Sequence, residues 1–237
     1  MENCPPKAEL SLSGELSPKS RAVPEEEVNV NNKVKVYINV RGEGRIPQYA
    51  SSHAAGCDLF ATTDMAIRPG ETKIMPLDFS MAIDTDLEAQ IRPRSGLSLK
   101  TELRIPNGPG TIDSDYRDTV GVLLQNTYNL SNLTFQIVED PGLADELIKN
   151  YREIELGVYL TQNCGVSHPE AEALYIMGQK IYIDKLGNPY GTIYIKKGDR
   201  IAQMVFSEYK RAEFIPHPDP RKIGEDRGGG FGHTGSK

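Results

Sequence analysis

KVKVYINV, Lys33 to Val40, decides the fold class. Val34, Val36, Ile38 and Val40 alternate with Lys33, Lys35, Tyr37 and Asn39. A period of two puts the apolar set on one face of an extended chain, which reads as a half-buried strand. Moving outward, the same grammar repeats in CDLFAT (57–62), ETKIMPL (71–77), FSMAI (79–83), LEAQIRP (87–93) and DTVGVLLQN (118–126). Each run is short and bounded by Gly, Pro, Asp or Asn, the residues that turns between the strands of a barrel or sandwich require. No amphipathic helix is expected between Lys33 and Asn129, so the reading is an all-β barrel or jelly roll.

The chain has 237 residues, 38% of them hydrophobic and 25% charged, with 22 glycines and 16 prolines. That length is one large domain, or an ordinary one with additions. No run approaches the ~18 apolar residues that cross a bilayer, and the first thirty residues lack an apolar signal core, so neither membrane nor secretion is expected. A net charge of −6 argues against a broad nucleic-acid surface but leaves room for a local phosphate pocket. Cys4, Cys57 and Cys164 lie too far apart in sequence for a disulfide framework or metal-ligand spacing. This fits a reducing compartment, read as cytoplasmic with a nuclear location open.

Three stretches depart from the strand grammar. Residues 1–32 carry Pro5, Pro6, Pro18, Pro24 and the run Glu25 to Glu27 with no apolar period, and read as a disordered tail. Residues 138–191 read as an insertion with short helices at PGLADELIKNYREIEL (141–156) and PEAEALYIMG (169–178). Within it KIYID (180–184) is expected to form a hairpin with TIYIK (192–196). The end, 224–237, has six glycines from Gly224 to Gly235 and reads as a flexible lid. The barrel is then 33–137 and 192–223.

Several runs carry phosphate chemistry. PRSGLSLK (93–100) sets the donor fork of Arg94, the hydroxyl of Ser95 and the bare backbone of Gly96 side by side after a strand. RGGGFGHTG (227–235) adds Arg227, Thr234, backbone N–H groups and one aromatic, Phe231. In GTIDSDYRD (110–118), Asp113 is a candidate general base toward a water attacking phosphorus, and Tyr116 could lie flat on a sugar. Taken singly, each has a plain alternative: a surface turn, a disordered tail and turn-forming acids.

Together, AAGCDLFA (54–61), PRSGLSLK, NGPGTIDSDYR (107–117), GDRIAQMVF (198–206) and RGGGFGHTG resemble, in order, the five motifs of trimeric dUTPases. The resemblance covers about 33–129 and 193–235. It implies a homotrimeric dUTPase-like β-barrel with shared active sites, hydrolysing dUTP to dUMP and pyrophosphate. It implies Mg²⁺ as cofactor, carried on the triphosphate with no direct protein ligand, and Asp58 as a possible holder of its water shell. Asp113 would activate the water. Asn107, with the Gly110, Thr111, Ile112 to Tyr116 hairpin, would face uracil, and Tyr116 would stack on deoxyribose. Arg94, Ser95, Gly96 and Gln203 would hold phosphates, and Arg227, Phe231, Gly232, His233 and Thr234 would close over them.

Two departures from the family pattern stand out. Only three residues separate Arg227 from Phe231 where the family usually has four. The strand form F-x-I that precedes GDRIAQ is read twice, at TFQIV (134–138) and TIYIK (192–196), bracketing the insertion. Its role is open among packing, shielding of the site, and a platform for a protein partner. Two alternatives accompany the diphosphatase reading. One is a dUTP-switched regulatory binding protein acting through 138–191. The other is a dCTP deaminase of the same fold, disfavoured by Ser114-Asp115-Tyr116 and by the Phe231 tail.

Overall fold

The structure is a computed structural model and describes residues 33–165, 178–226 and 228. The expectations for 1–32, for most of PEAEALYIMG, and for Arg227 and 229–237 fall outside the described residues.

The elements run β1 (Tyr37–Val40), β2 (Gln48–Tyr49), β3 (Cys57–Phe60), β4 (Met65–Ile67), β5 (Thr72–Pro76), β6 (Phe79–Ala82), β7 (Leu87–Arg92), α1 (Ser95–Lys100), β8 (Leu103–Arg104), β9 (Gly110–Ile112) and β10 (Gly121–Asn126). Then follow α2 (Leu133–Glu139), α3 (Gly142–Asn150), β11 (Arg152–Glu155), α4 (Leu156–Cys164), β12 (Lys180–Ile183), β13 (Ile193–Ile195) and β14 (Arg200–Glu208). Every strand pair is antiparallel. The largest sheet is ordered β2-β3-β14-β7-β9, a second is β5-β10-β8, and β1-β6, β13-β4 and β11-β12 are two-stranded.

Alternation fixes which way each strand faces. In β10, Val122, Leu124 and Asn126 point inward, and in β7, Leu87, Ala89 and Ile91 do. They meet Leu59, Ile67, Met75, Leu77, Phe79, Val120, Ile201 and Met204 in one core. Phe79 is 2% exposed, so truncating it to alanine should cost about 3–5 kcal/mol in lost transfer energy and cavity.

Four local expectations are corrected. TFQIV is not a strand but lies in α2, where Leu133, Gln136 and Ile137 turn inward at i, i+3, i+4 while Phe135 and Val138 stay exposed. Asn129 sets that path, its side chain accepting from the Ser131 N–H at 3.0 Å ahead of the helix. The helix expected over 141–156 stops at Asn150, and Arg152–Glu155 is the strand β11. The partner of β12 is β11, Ile154 facing Ile181, whereas β13 pairs with β4, so KIYID and TIYIK do not form a hairpin. Finally, Ser95–Lys100 is a one-and-a-half-turn helix within the span expected to be helix-free.

Between β10 and β13 the chain therefore makes an excursion with a small core of its own, Ile154, Tyr159 and Ile183. Its two ends are tied at Asn126, which has no solvent exposure. The Asn126 amide donates to the carbonyls of Ile67 and Gly191, each at 2.8 Å, and its side-chain oxygen accepts from the Tyr128 N–H at 2.9 Å. Gly191 has φ +83°, and a Cβ there would land inside the Tyr128 ring, so both backbone and space require glycine. Tyr190 stands edge-on to Tyr128 and Tyr151, with ring centroids 5.7 and 5.2 Å apart.

Candidate functional site

The five-stranded sheet gathers residues far apart in sequence. Asp58 on β3 lies opposite Gln203 on β14, and Gln203 also lies opposite Arg92 on β7. Arg94, two residues beyond β7, turns back, and its Nε meets Asp58 Oδ1 at 2.9 Å. Arg200 Nη1 meets Asp58 Oδ2 at 3.1 Å, and Arg94 Nη1 donates to the Arg200 carbonyl at 3.3 Å. Asp58 is 8% exposed, so this carboxylate is nearly dry and both of its oxygens are taken by arginines. A paired carboxylate between two guanidiniums fixes both forks while leaving one net positive charge, a suitable seat for an anion.

Gln203 donates to the Pro93 carbonyl at 2.9 Å, tying β14 to the turn that carries Arg94. Gly56 makes room for it, because a Cβ there would sit 2.6 Å from Gln203 Oε1. Ser95 and Gly96 form the exposed first turn of α1, and a Cβ at Gly96 would meet nothing within 4 Å. The N–H groups of that turn have no intrahelical acceptor. A cleft of about 370 Å³ opens beside them, lined by Arg94 and Arg200 and by Leu97, Ile193, Ile195 and Ile201.

Next to Asp58, the Cys57 thiol is buried and donates to the Met204 carbonyl at 3.3 Å. Burial pushes that thiol up, away from the thiolate a nucleophile needs.

Asp113 lies elsewhere on the sheet. β9 pairs with β7, Gly110 facing Ile91 and Ile112 facing Ala89, so Asp113 follows at the level of Glu88. The expected hairpin over Gly110–Tyr116 is corrected on this point: β9 and β10 belong to different sheets. What closes the segment is a turn, with the Tyr116 N–H donating to the Asp113 carbonyl at 3.1 Å. Asp113, Tyr116 and Asn107 are exposed, and Asn107 stands against Gly110, where a Cβ would be 3.0 Å from its Nδ2. Tyr116 Oη donates to the Thr119 carbonyl at 3.0 Å, and Arg117 Nη1 donates to the carbonyls of Ser114 and Tyr116 at 2.6 and 2.9 Å.

From Glu88 to Arg92, the last residue of β7, is four strand residues, roughly 13 Å at ~3.3 Å per residue, and Arg94 turns from there toward Asp58 on β3. The structure thus brings Asp58, Arg94, Ser95, Gly96 and Gln203 together and sets Asp113 apart from them, while Thr111 lies opposite Gln90, two residues from Arg92. Arg227, Phe231, Gly232, His233 and Thr234 lie outside the described residues.

Sequence reasoning takes Arg200 as a pairing or capping residue without naming Asp58 as its partner, and gives Arg117 no role. Arg200 lies opposite Phe60 on β3, two residues from Asp58, and no local pattern marks that pairing. Arg117 has no signal beyond its place beside Tyr116.

The chain is similar to known dUTPases. The dUTPase family profile matches residues 42–156. The deoxyuridine 5'-triphosphate nucleotidohydrolase of Rickettsia akari is 40% identical over 124 residues, 52% of this chain and 82% of that protein. That of Nautilia profundicola is 41% identical over 114 residues, 48% of this chain and 78% of its own length. Among solved structures, the dUTPase of Staphylococcus bacteriophage 80alpha with dUpNHpp superposes at a TM-score of 0.58 with 21% identity, covering 85% of this chain and 99% of that one. The dUTPase of phage phi11 of S. aureus, with its species-specific insert, gives 0.54 at 20% identity, covering 80% and 99%.

Proposed function

The chain belongs to the dUTPase family, and from that premise we propose how its residues divide the hydrolysis of dUTP to dUMP and pyrophosphate. One observation carries the reading: three of the five motifs, dispersed from residue 54 to residue 206, supply strands β3, β9 and β14 of the single sheet β2-β3-β14-β7-β9, and a fourth follows directly on β7.

Uracil binds against Asn107 and the backbone of Gly110–Ile112, whose N–H and C=O groups stand in for a base-pairing partner. The deoxyribose stacks on Tyr116. Asp113 takes a proton from the attacking water as its oxygen bonds to the α-phosphorus. The bond from that phosphorus to the bridging oxygen breaks, and pyrophosphate leaves with the electron pair. Arg94, Ser95, Gly96 and Gln203 hold the phosphates.

The spacing along β7 supports sites shared between subunits of a homotrimer. A nucleotide seated at Asp113 lies too far from Arg94 of the same chain for one α-phosphate to touch both. A second copy must then supply Arg94, Ser95 and Gly96.

Mg²⁺ is assigned to the substrate rather than to a resident site. The phi11 enzyme coordinates a structural Mg(II) ion. Here, among the described residues, no group of three acids, histidines or cysteines could hold a metal, and both Asp58 oxygens are on arginines. Mg²⁺ carried on the triphosphate would supply charge neutralisation to the leaving pyrophosphate, while Arg94, Ser95, Gly96 and Gln203 hold the phosphates. Asp58 orders the two arginines instead of the water shell.

The test is pyrophosphate release across dUTP, dTTP, dCTP and UTP. Release from dUTP alone is expected; ammonia release from dCTP would instead establish the deaminase.

A second reading has one observation in its favour. Phe135, Val138 and Ile148 on α2 and α3 are 74, 74 and 79% exposed, with Glu139, Asp140, Asp145 and Glu146 around them. Exposed apolar side chains interspersed along the chain with acids suit a basic protein partner. Phage dUTPases such as the 80alpha enzyme control transfer of virulence genes by a G protein-like mechanism. A nucleotide-switched surface requires hydrogen exchange in α2–α3 to change with a non-hydrolysable dUTP analogue. Identical exchange would remove this reading.

A further inference from the structure

The segment 113–119 is held by its own side chains. Its ends are anchored by Ile112 and Val120, 8 and 1% exposed, while six of the seven residues between them are exposed. A loop so placed has little packing to fix it. Two side-chain fastenings add to the turn closed by the Tyr116 N–H on the Asp113 carbonyl. One Arg117 nitrogen, Nη1, donates to the carbonyls of both Ser114 and Tyr116, drawing the two peptide oxygens to a common point. The Tyr116 hydroxyl donates to the Thr119 carbonyl. The Tyr116 ring is therefore fixed at both ends, at its backbone by Arg117 and at its hydroxyl by Thr119. Bonds to a charged guanidinium are stronger than neutral ones, so the backbone end is the firmer.

We propose that Arg117 is a positioning residue for sugar discrimination. By gripping the Ser114 and Tyr116 carbonyls it holds the Tyr116 ring where a 2′-hydroxyl has no room. This rests on the assignment of Tyr116 to the sugar. Steric exclusion works only if the excluding group cannot yield. A ring free to swing by an ångström would admit the ribonucleotide and would also have to be ordered anew on binding deoxyribose. Arg117 touches neither nucleotide nor water in this account; it acts through the turn.

The experiment compares wild type, Arg117→Met and Arg117→Lys in the full chain for kcat/KM on dUTP and UTP, with melting temperature and oligomeric state as controls. Arg117→Met keeps the side-chain length and loses the donors. Its dUTP/UTP ratio is expected to fall about tenfold or more, the dUTP loss being mainly in KM. Arg117→Lys should recover part of the ratio, because an ammonium keeps donors within reach of the carbonyls. An unchanged ratio in Arg117→Met, at whatever overall activity, overturns the proposal. Should that variant fail to fold, Arg117→Leu removes the same donors in a shorter side chain, and an unchanged ratio there overturns it too. A wild type that does not hydrolyse dUTP would sink the diphosphatase reading itself, an outcome distinct from either of these.

Discussion

The side-chain amide of Asn126 donates to the carbonyl of Gly191, 65 residues later, at 2.8 Å. This bond joins the point where the chain leaves the barrel to the point where it returns. Asn126→Ala removes two buried donors and strands the carbonyls of Ile67 and Gly191, which should cost about 2–4 kcal/mol. Urea unfolding of the variant gives that number directly. A loss below about 0.5 kcal/mol would mean that the excursion is held by other contacts.

Gly191→Ala attacks the same junction from the other side. The new methyl collides with the Tyr128 ring at a positive φ, so the aromatic stack must move. A destabilisation of about 2 kcal/mol or more is expected in the same unfolding measurement.

Asp58→Asn separates two roles for that carboxylate. If it orders Arg94 and Arg200, the variant should lose stability of about 2 kcal/mol, restrained because Arg200 is half exposed, and kcat/KM for dUTP should fall about tenfold. The Mg²⁺ concentration for half-maximal activity should not move. A several-fold rise in that concentration would return Asp58 to the metal's water shell.

Tyr194 gives a pH signature. Burial and its hydrogen bond to Asp184, among other contacts, push the phenol up to about 12. With the folded value above that of the unfolded chain, the stability it contributes is full below about pH 10 and is lost as pH rises toward 12. Melting temperature should drop across that window, and Tyr194→Phe should flatten the drop. An identical alkaline slope in the variant would show that Tyr194 does not carry it; Tyr128, also pushed up to about 12, would be the next phenol to replace.

Sharing of sites between subunits predicts complementation. Asp113→Asn and Arg94→Ala should each be inactive alone. Mixed by co-refolding, roughly a quarter of the sites pair an intact Asp113 with an intact Arg94 from another chain, and activity should return to about that fraction. A mixture as inactive as its parents would place both residues in one chain's site.

These residues also show what the sequence made legible. The strands were readable because burial on one face imposes a period of two, as in Val122 and Leu124. TFQIV was misread because five residues rich in β-branched side chains satisfy either period; the choice was made by the Asn129 turn before it. REIE reads as helix for the same reason, since Ile154 alone carries its inward face. The motifs located Asp58, Arg94, Asp113 and Gln203, but not their bonds. That Asp58 spends both oxygens on arginines depends on the β3–β14 register, which no local pattern encodes. Asn126 left a trace that could have been followed: it occupies the inward position after Val122 and Leu124, where a polar residue is tolerated only if fully hydrogen-bonded.

The central claim is that Asp113 activates water in dUTP hydrolysis. Its most direct test is single-turnover pyrophosphate release by Asp113→Asn beside wild type, with dUTP affinity measured on the same samples. The account predicts affinity within a few fold of wild type and a rate reduced by about 10²–10⁴. Wild-type turnover in Asp113→Asn would contradict it.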